Sequence, residues 1–407
     1  MSMLTFRIAA RNVFRQKRRT LLTVLTMMGG FTLASISIAF SDGSYANIIS
    51  TFTRTQMGHI QIHGKGYLDR PTLYNTIDDY ETVGAAIDSV AGVIAWSPRV
   101  YSAGLGSVGE KTTAVRIVGI DPEREETATR FDKKIISGKS FMPGATHRTI
   151  LGKGLAIVLK AGPGDTLVVV SQGADGSIAN DAYEIIGTAE TGDEVGDQNT
   201  MYLSLTDAQD LLVLYGRAHE MVVIVDNLDD VLDLADQIQA LPALQKYDVS
   251  PWQKFAASFY TAMQADRQGT WIMLGIIVLI VSVGVLNTVL MTVLERRREY
   301  GVLRAIGVRP GQVVRLVLYE VAAMDVVAVL FGAVVSLGVN YWLSRTGIDM
   351  AQAFTYGGME FKTMYSEVNL QSFTIPAITV TAAALLVSVI PALKAARTAP
   401  AKAMRTH

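Results

Sequence analysis

The residue types that most often carry chemistry are sparse in this sequence, and their spacing matches no catalytic motif. The chain has no cysteine, so it offers neither a thiolate nucleophile nor a cysteine-based metal site. It also contains no Walker P-loop, no G-x-S-x-G nucleophile elbow and no H-E-x-x-H zinc motif. The run Gly162–Asp165 precedes a strand and lacks the lysine of a phosphate-binding loop, so we interpret it as a turn. We therefore predict no catalytic residue and no cofactor in this chain.

Two small groups of side chains have the types, but not the spacing, of metal ligands. His59 and His63 lie four residues apart on one predicted strand. Without a third ligand nearby, we expect exposed strand histidines rather than a metal site. Asp193, Glu194 and Asp197 could bind calcium, but their spacing does not fit an EF-hand loop. We expect a solvated acidic loop there and predict no metal.

Positive charge is concentrated in one stretch, Glu295–Glu320, which joins two long apolar segments. Trp271–Leu294 has no charged residue and Val313–Leu343 is mostly apolar, and about 20 such residues cross the ~30 Å core of a bilayer. Because short arginine-rich loops stay in the cytoplasm, we predict a cytoplasmic elbow between two transmembrane helices. Glycine and proline weaken or end helices, so we expect the elbow to be divided into short helical pieces. A short helix at the membrane face could contact a soluble partner. The residues concerned are Arg296, Arg297, Arg298, Gly301, Arg304, Gly307, Arg309, Pro310, Gly311 and Arg315.

The net charge of −1 hides a segregation, because arginines crowd the predicted cytoplasmic segments while acids dominate the centre. No basic face is spread over a soluble domain, which argues against nucleic acid as a partner. Flanking Lys and Arg place both termini in the cytoplasm. The predicted segments are, in order, a basic amphipathic helix on the membrane face (1–20), a first span (21–42), an outer domain ending in a stalk helix (43–268), a second span (269–294), the elbow (295–311), a third span (312–343), an outer loop (344–371), a fourth span (372–391) and a cytoplasmic tail (392–407).

The outer domain is predicted to be α+β. A strand at 58–64 opens it, and a helix at 77–90 leads into strands at 93–101 and 112–120. A second β-α-β unit, with strands at 220–225 and 247–250 around a helix at 228–241, closes it. These two parts are expected to pack into one lobe, interrupted by a mainly β insertion over about 121–217. Residues 251–268 are expected to form a helix that continues into the second span.

Two acids fall within the third span. Ionisable residues inside a membrane are candidates for function because burying them is costly. We expect Glu320 to pair with Arg315 or with an arginine of the elbow, and we leave Asp325 open.

The elbow sequence Glu299-x-Gly301-x-Leu303-Arg304-Ala305-Ile306-Gly307, closed by Glu320, resembles the signature of the FtsX-like (MacB/LolC/LolE) permeases of ABC transporters. The C-terminal run from Pro391 to Arg405 is similar to the tail of that family, and the order of segments resembles it along the whole chain. The resemblance implies porter and sabre subdomains in the outer domain and an ATPase in a separate chain, which binds ATP and Mg. The residues expected to couple to that ATPase are Glu295, Arg296, Glu299, Gly301, Leu303, Arg304, Ala305 and Gly307.

For function, the resemblance implies a non-catalytic inner-membrane subunit that transmits motion to a periplasmic domain. Release of lipoproteins or lipids is the leading expectation. Export of periplasmic peptides, toxins or antibiotics through an adaptor and outer-membrane duct is the second, and FtsX-like signalling to a cell-wall hydrolase is the third. The expected partners are the ATPase subunits, a second permease chain (identical or a paralogue), membrane lipid and a periplasmic carrier or adaptor.

Overall fold

The computed structural model describes residues 17–356 and 359–398. The predicted basic helix at 1–20 and the tail at 392–407 therefore lie largely outside the described residues. The chain divides into two compact units: a membrane unit of Met1–Asn47, Met263–Met350 and Thr363–His407, and an outer unit of Ile48–Ala262 and Ala351–Lys362.

The α-helices vary greatly in length, from single turns in the outer unit to helices of more than 35 residues. They are α1 (Lys17–Phe52), α2 (Tyr80–Ile87), α3 (Pro122–Ala128), α4 (Lys153–Leu159), α5 (Glu194–Asp197), α6 (Leu205–Leu212), α7 (Val231–Gln239), α8 (Trp252–Phe255), α9 (Ala257–Glu295), α10 (Arg297–Ala305), α11 (Pro310–Thr346) and α12 (Gln371–Ala396). A π-helical turn at Thr53–Met57 follows α1, and short 3-10 turns include Phe131–Lys134.

The strands of the outer unit form one large sheet, and two shorter pairs accompany it. They are β1 (Ile60–Gly64), β2 (Ile77–Asp78), β3 (Val93–Val108), β4 (Lys111–Ile120), β5 (Ile135–Gly138), β6 (Arg148–Gly152), β7 (Thr166–Gln172), β8 (Ile178–Ala189), β9 (Thr200–Ser204), β10 (Arg217–Ala218), β11 (Glu220–Val225), β12 (Tyr247–Pro251), β13 (Ile348–Tyr356) and β14 (Met359–Met364). The segment predicted as an outer loop at 344–371 thus contains the β13–β14 pair.

Four helices among the described residues are long and apolar enough to cross a membrane, namely α1, α9, α11 and α12. One apolar core joins them, and it includes Phe31 of α1, Val285 of α9, Val317 of α11 and Ala384 of α12. Only about a third of each apolar window is buried inside the chain. The remaining apolar surface is what a lipid bilayer or a second membrane chain would cover.

A close backbone approach holds α1 at residues 39–43, about ten residues before the helix ends. The Glu367 N–H donates to the Ala39 carbonyl at 2.9 Å, and Asn369 donates to the Asp42 carboxylate at 2.9 Å. A Cβ on Gly43 would lie 2.5 Å from the backbone of residues 366 and 367. Only glycine therefore allows the chain to pass so near the helix.

The large sheet has the strand order β12-β1-β11-β3-β4-β9-β6-β8-β5, and β7 pairs with both β3 and β8. The predicted insertion supplies β5 to β9, and its β9 pairs in parallel with β4. Strands of the predicted lobe and of the insertion are thus hydrogen-bonded into one sheet. A division into two subdomains stays a prediction.

Two local expectations for the outer unit are wrong. His59 and His63 are buried, at 4% and 1% exposure, whereas solvent-exposed side chains were expected. His59 immediately precedes β1 and His63 lies in it. Strand β1 is between β11 and β12, and all five of its residues are buried. The helix expected over 251–268 is interrupted at Ala256, whose φ of −107° and ψ of 41° separate α8 from α9. From Ala257 the helix runs unbroken to Glu295.

Candidate functional site

The elbow is one helix and one tight turn rather than several short pieces. Helix α10 follows α9 almost directly and ends at Ala305. Gly307 then adopts a φ of 96°, the left-handed region that glycine enters without steric cost. The Arg309 N–H donates to Gln312 Oε1 at 2.9 Å, and Pro310 begins α11. Gly301 was predicted to divide the elbow into shorter pieces. It lies within the continuous helix α10 instead, and it is buried there.

The inward side of the elbow is held by a partly buried ion-pair network. Arg296 Nη1 donates to both carboxylate oxygens of Glu320, at 2.9 and 3.1 Å. Its Nε donates to Glu299 at 2.8 Å, and its guanidinium lies 5.5 Å from the Tyr300 ring centroid. The ion pair predicted between Glu320 and an elbow arginine is thus present, and that arginine is Arg296.

A second ion pair ties the end of α9 to the start of α1. The two terminal nitrogens of Arg19, Nη1 and Nη2, donate to the carboxylate of Glu295. Because both side chains are 30–40% exposed, solvent screens this pair and it contributes little stability. The contact shows that the last turn of α9 lies beside the start of α1.

Three of the predicted coupling residues serve the elbow's own structure. Leu303 packs against the membrane core, and Gly301 is buried. Arg304 Nη1 donates to the Val308 carbonyl at 3.0 Å, which satisfies one of the carbonyls beyond the end of α10. With Arg296, these residues shape and position the helix from its inner side.

The outward side of the elbow is a mixed apolar and charged surface, which we call the elbow face. The sequence prediction included Glu299, Ala305 and Gly307 but missed Val302 and Ile306, which are 45% and 74% exposed. The signal for them was an apolar pair at i and i+4, which lies on one side of a helix. The exposed residues of the elbow face are Arg297, Arg298, Glu299, Val302, Ala305, Ile306, Gly307 and Arg309.

Asp325 is the deeper acid, and it links two membrane helices. It is 2% exposed, and Thr381 Oγ1 of α12 donates to its Oδ2 at 2.6 Å. Its Oδ1 has no partner among the described residues. A polar contact between apolar helices favours one rotational setting of α11 against α12.

The side chains considered as metal ligands have structural partners instead. His59 Nδ1 accepts from the Val225 N–H at 3.0 Å, and burial lowers the pKa of His59 to about 4. His63 contacts the Glu220 carboxylate at 3.2 Å. Asp193 caps α5, and Asp197 accepts from the N–H and hydroxyl of Thr191 at 2.8 Å each. Asp197 is only 5% exposed, so the solvated acidic loop expected here is wrong for Asp197. Within the described ranges, no three such residues are placed to hold a metal ion.

Comparison with known families gives two matches that together cover most of the chain. Residues 20–241 match the model for the MacB-like periplasmic core domain, and residues 271–400 match the model for the FtsX-like permease C-terminal region.

Individual relatives carry related names. The lipoprotein-releasing system transmembrane protein LolC of Neisseria meningitidis is 23% identical, and the alignment covers 98% of each chain. The macrolide export ATP-binding/permease protein MacB of Campylobacter jejuni is 22% identical over 84% of this chain, which spans 54% of that relative. Among solved structures, the periplasmic region of MacB from Actinobacillus actinomycetemcomitans is 12% identical. It covers 49% of this chain and 92% of its own, with a TM-score of 0.37.

Proposed function

We propose that this protein, which belongs to the FtsX-like permeases of ABC transporters with a MacB-like periplasmic core domain, converts ATP hydrolysis by a separate cytoplasmic ATPase into motion of its periplasmic domain. The observation that carries the proposal is the elbow face. Its helix is anchored on the inner side by Arg296 and Glu320, while Val302 and Ile306 are exposed on the outer side. A rigid helix with exposed apolar side chains amid charges is suited to seat in a groove of another protein.

The location of each segment follows from the distribution of charge. The elbow carries Arg296, Arg297, Arg298, Arg304 and Arg309, whereas α9 and α11 beside it are apolar. The positive-inside rule therefore supports a cytoplasmic elbow, cytoplasmic termini and a periplasmic outer unit in the inner membrane of a bacterium. An ATPase in the cytoplasm would then meet the elbow face directly.

Transmission of motion fits the membrane unit better than conduction does. Asp325 and Asn340 are buried polar residues of α11, and Asp325 is bonded to Thr381. The core that the four helices share is mainly apolar, which is a poor lining for a hydrophilic path. It contains a few small buried polar side chains, such as Ser35, Ser336 and Ser388. Helix α9 is continuous over 39 residues, so movement at Glu295 has a stiff route toward Ala257. We infer that α9 is the lever and that the periplasmic unit does the work on the substrate.

Lipoproteins or lipids of the inner membrane are the proposed substrate. The support is the relative named as part of a lipoprotein-releasing system, which aligns over 98% of both chains. Export of a periplasmic peptide, toxin or antibiotic is the second candidate, because the MacB-like core family matches residues 20–241. Signalling to a cell-wall hydrolase is the third candidate function. Co-purification distinguishes them, since the first needs a lipoprotein carrier, the second an adaptor with a duct and the third a hydrolase.

Other parts of the membrane unit support the remaining proposed partners. Trp271, Ile272, Ile276 and Leu279 of α9 are each at least 53% exposed. Apolar side chains of a membrane helix need lipid or another helix around them. We therefore propose that a second permease chain, identical or a paralogue, and membrane lipid share this surface.

The test changes the elbow face and leaves its inner side intact. Ile306→Glu places a charge on the apolar part of the face. Ile157→Glu is the matched control, because this isoleucine of the outer unit is 68% exposed against 74% for Ile306. We expect Ile306→Glu to reduce co-purification of the ATPase at least tenfold, since losing one buried apolar anchor costs about 2 kcal/mol, and membrane insertion to be normal. Equal recovery of the ATPase with Ile306→Glu and with the control would refute docking at this face.

A further inference from the structure

A groove of about 320 Å³ opens in the outer unit, and one face of the large sheet forms its floor. Strand register brings Glu220 opposite Arg99 and Arg99 opposite Ile120. In the neighbouring row, Tyr101 lies opposite Val118, and Val118 lies opposite Tyr202. Charged and phenolic side chains from four strands, β11, β3, β4 and β9, are therefore gathered on one surface.

Two acids of the groove, Glu125 and Glu220, already have ionic and hydrogen-bonding partners. Glu125 receives two bonds from Arg99, at 2.6 and 3.1 Å, and one from the Thr129 hydroxyl. Glu220 accepts from Tyr101 at 2.8 Å and contacts His63 at 3.2 Å. Arg99 holds the pKa of Glu125 below its usual value, and His63 with Arg99 does so for Glu220. Both carboxylates are thus ionised and fully engaged, and neither is available to bind a cation.

Three side chains that line the same groove, Arg116, Lys134 and Tyr202, have hydrogen-bond donors with fewer partners than those of Arg99. Along the part of the chain that the structure describes, Arg116 forms no side-chain ion pair and the Tyr202 hydroxyl no hydrogen bond, although Tyr202 is only 8% exposed. Lys134 Nζ donates to the Thr55 carbonyl and lies 5.6 Å from the Phe131 ring centroid, which leaves further N–H groups. The Tyr202 ring packs on the same Phe131, with centroids 4.8 Å apart.

Two cations and a phenol that line one groove and have spare donors can coordinate the oxygens of an anion. We propose that the groove formed by Arg116, Lys134 and Tyr202 is a binding site for a small oxyanion, a solute bearing a carboxylate or a phosphate group. The volume is at the lower end for small-molecule pockets, so the occupant is a metabolite-sized solute rather than a polymer. Asp193, the remaining acid of the rim, has its carboxylate turned to the Gly196 N–H at 2.9 Å.

The electrostatic state of Lys134 supports the site. Burial lowers the pKa of its amine to about 8, and the positive charge of Arg99 adds to that effect. The carboxylates of Glu125, Asp197 and Asp132 act in the opposite direction. An anion bound beside the amine would favour the charged form. Binding is therefore coupled to proton uptake near pH 8 and weakens as the pH rises above that value.

The experiment measures binding calorimetrically with the full chain in nanodiscs of zwitterionic lipid, at constant ionic strength. Inorganic phosphate and succinate are titrated separately, so that the two arms distinguish a phosphate from a carboxylate ligand. Tyr202→Phe removes the hydroxyl donor and Arg116→Gln removes the positive charge, and we expect about tenfold weaker binding for each, which is the usual size for a hydrogen bond to a charged group. Lys133→Met is the matched control, because Lys133 is an exposed neighbour on the same 3-10 turn that does not line the groove.

A second readout separates binding by Lys134 from a structural effect. With succinate, whose carboxyl groups stay ionised between pH 7 and pH 9, the wild-type affinity should fall over this range and proton uptake should accompany binding. Lys134→Arg should bind with an affinity that is flat over this range and take up no protons, because arginine stays charged. Absence of saturable binding by both anions would overturn the proposal. So would binding that is equal in the wild type, Tyr202→Phe and Arg116→Gln.

Discussion

Arg296 and Glu320 are joined by a pair of hydrogen bonds of 2.9 and 3.1 Å between residues 24 positions apart. Arg296 precedes the first residue of α10, and Glu320 lies in the third turn of α11. Their side chains are 12% and 9% exposed. This ion pair therefore fixes the elbow helix against a membrane helix, and the elbow face depends on it for its position.

Breaking this ion pair is expected to destabilise the elbow. Arg296→Met leaves the buried Glu320 without its main cation, a change that costs about 3–5 kcal/mol for a buried pair. Limited proteolysis of the elbow in nanodiscs should show faster cleavage, and the thermal midpoint should fall. The matched control is Arg297→Met, because Arg297 is the exposed neighbour. The double variant Arg296→Glu with Glu320→Arg should recover part of the loss, and unchanged proteolysis in Arg296→Met would contradict this role.

The proposed topology is tested with single cysteines, because the natural chain has none. Ser177→Cys and Arg298→Cys each alter an exposed side chain, one in the outer unit and one in the elbow. An impermeant thiol reagent should label the first in intact spheroplasts and the second only after permeabilisation. The opposite pattern would reverse the orientation of the protein.

Acid is expected to destabilise the outer unit through His59. Its Nδ1 accepts from the Val225 N–H, so folding requires the neutral ring, and its pKa falls from 6.5 unfolded to about 4 folded. The unfolded state therefore binds more protons between pH 6.5 and pH 4, and stability present above pH 6.5 is lost as the pH falls. The loss is about 3 kcal/mol from this group between pH 7 and pH 4.

The measurement for His59 is urea unfolding of the full chain, followed by tryptophan fluorescence from pH 7.5 to pH 4.5. His59→Asn keeps an acceptor for Val225 but cannot titrate, so its free energy of unfolding should depend less steeply on pH. Burial also lowers the pKa of His219, and a smaller slope of the same sign should remain. Identical slopes in both proteins would rule out His59 as a source.

The lever proposal predicts that stiffness of α9 matters, not only its surface. Gln264, Ala265 and Gln268 are exposed on α9, and changing all three to glycine weakens the helix by about 3 kcal/mol relative to alanine. The control is Gln264→Ala with Gln268→Ala, which keeps the native Ala265, because it alters the same surface and keeps the helix. With the ATPase bound, the glycine variant should hydrolyse ATP but release less substrate per ATP. Equal release in both variants would favour a conduit between the helices.

Much of the membrane unit could be predicted from the sequence. Runs of about 20 apolar residues have one stable solution in a bilayer, the helix, and α1, α9, α11 and α12 contain the four predicted spans. The helices extend beyond those spans, because backbone hydrogen bonding continues outside the hydrocarbon region. The sequence likewise predicted strands that the structure contains in the outer unit, with alternating polarity as the argument for β1; the others are β3, β4, β11 and β12.

The elbow could be located from the sequence as the candidate site, but the structural role of each of its residues could not be predicted. The arginines and the glycine motif marked the elbow, yet Arg296, Leu303 and Arg304 contribute to its inner side while Val302 and Ile306 are exposed. Which arginine pairs with Glu320 depends on the crossing of α10 and α11. Residues 24 positions apart carry no local signal of such a contact.

What the sequence by itself determined is therefore most of the long helices and strands, because their formation depends on the local period of apolar residues. Only the tertiary structure decided which strands are neighbours. The order β12-β1-β11-β3-β4 buries His59 and His63, and the parallel pairing of β4 with β9 brings Tyr202 to the groove of Arg116. Alternation assigns a side chain to a face of a sheet, but the neighbour across that face is set by long-range packing.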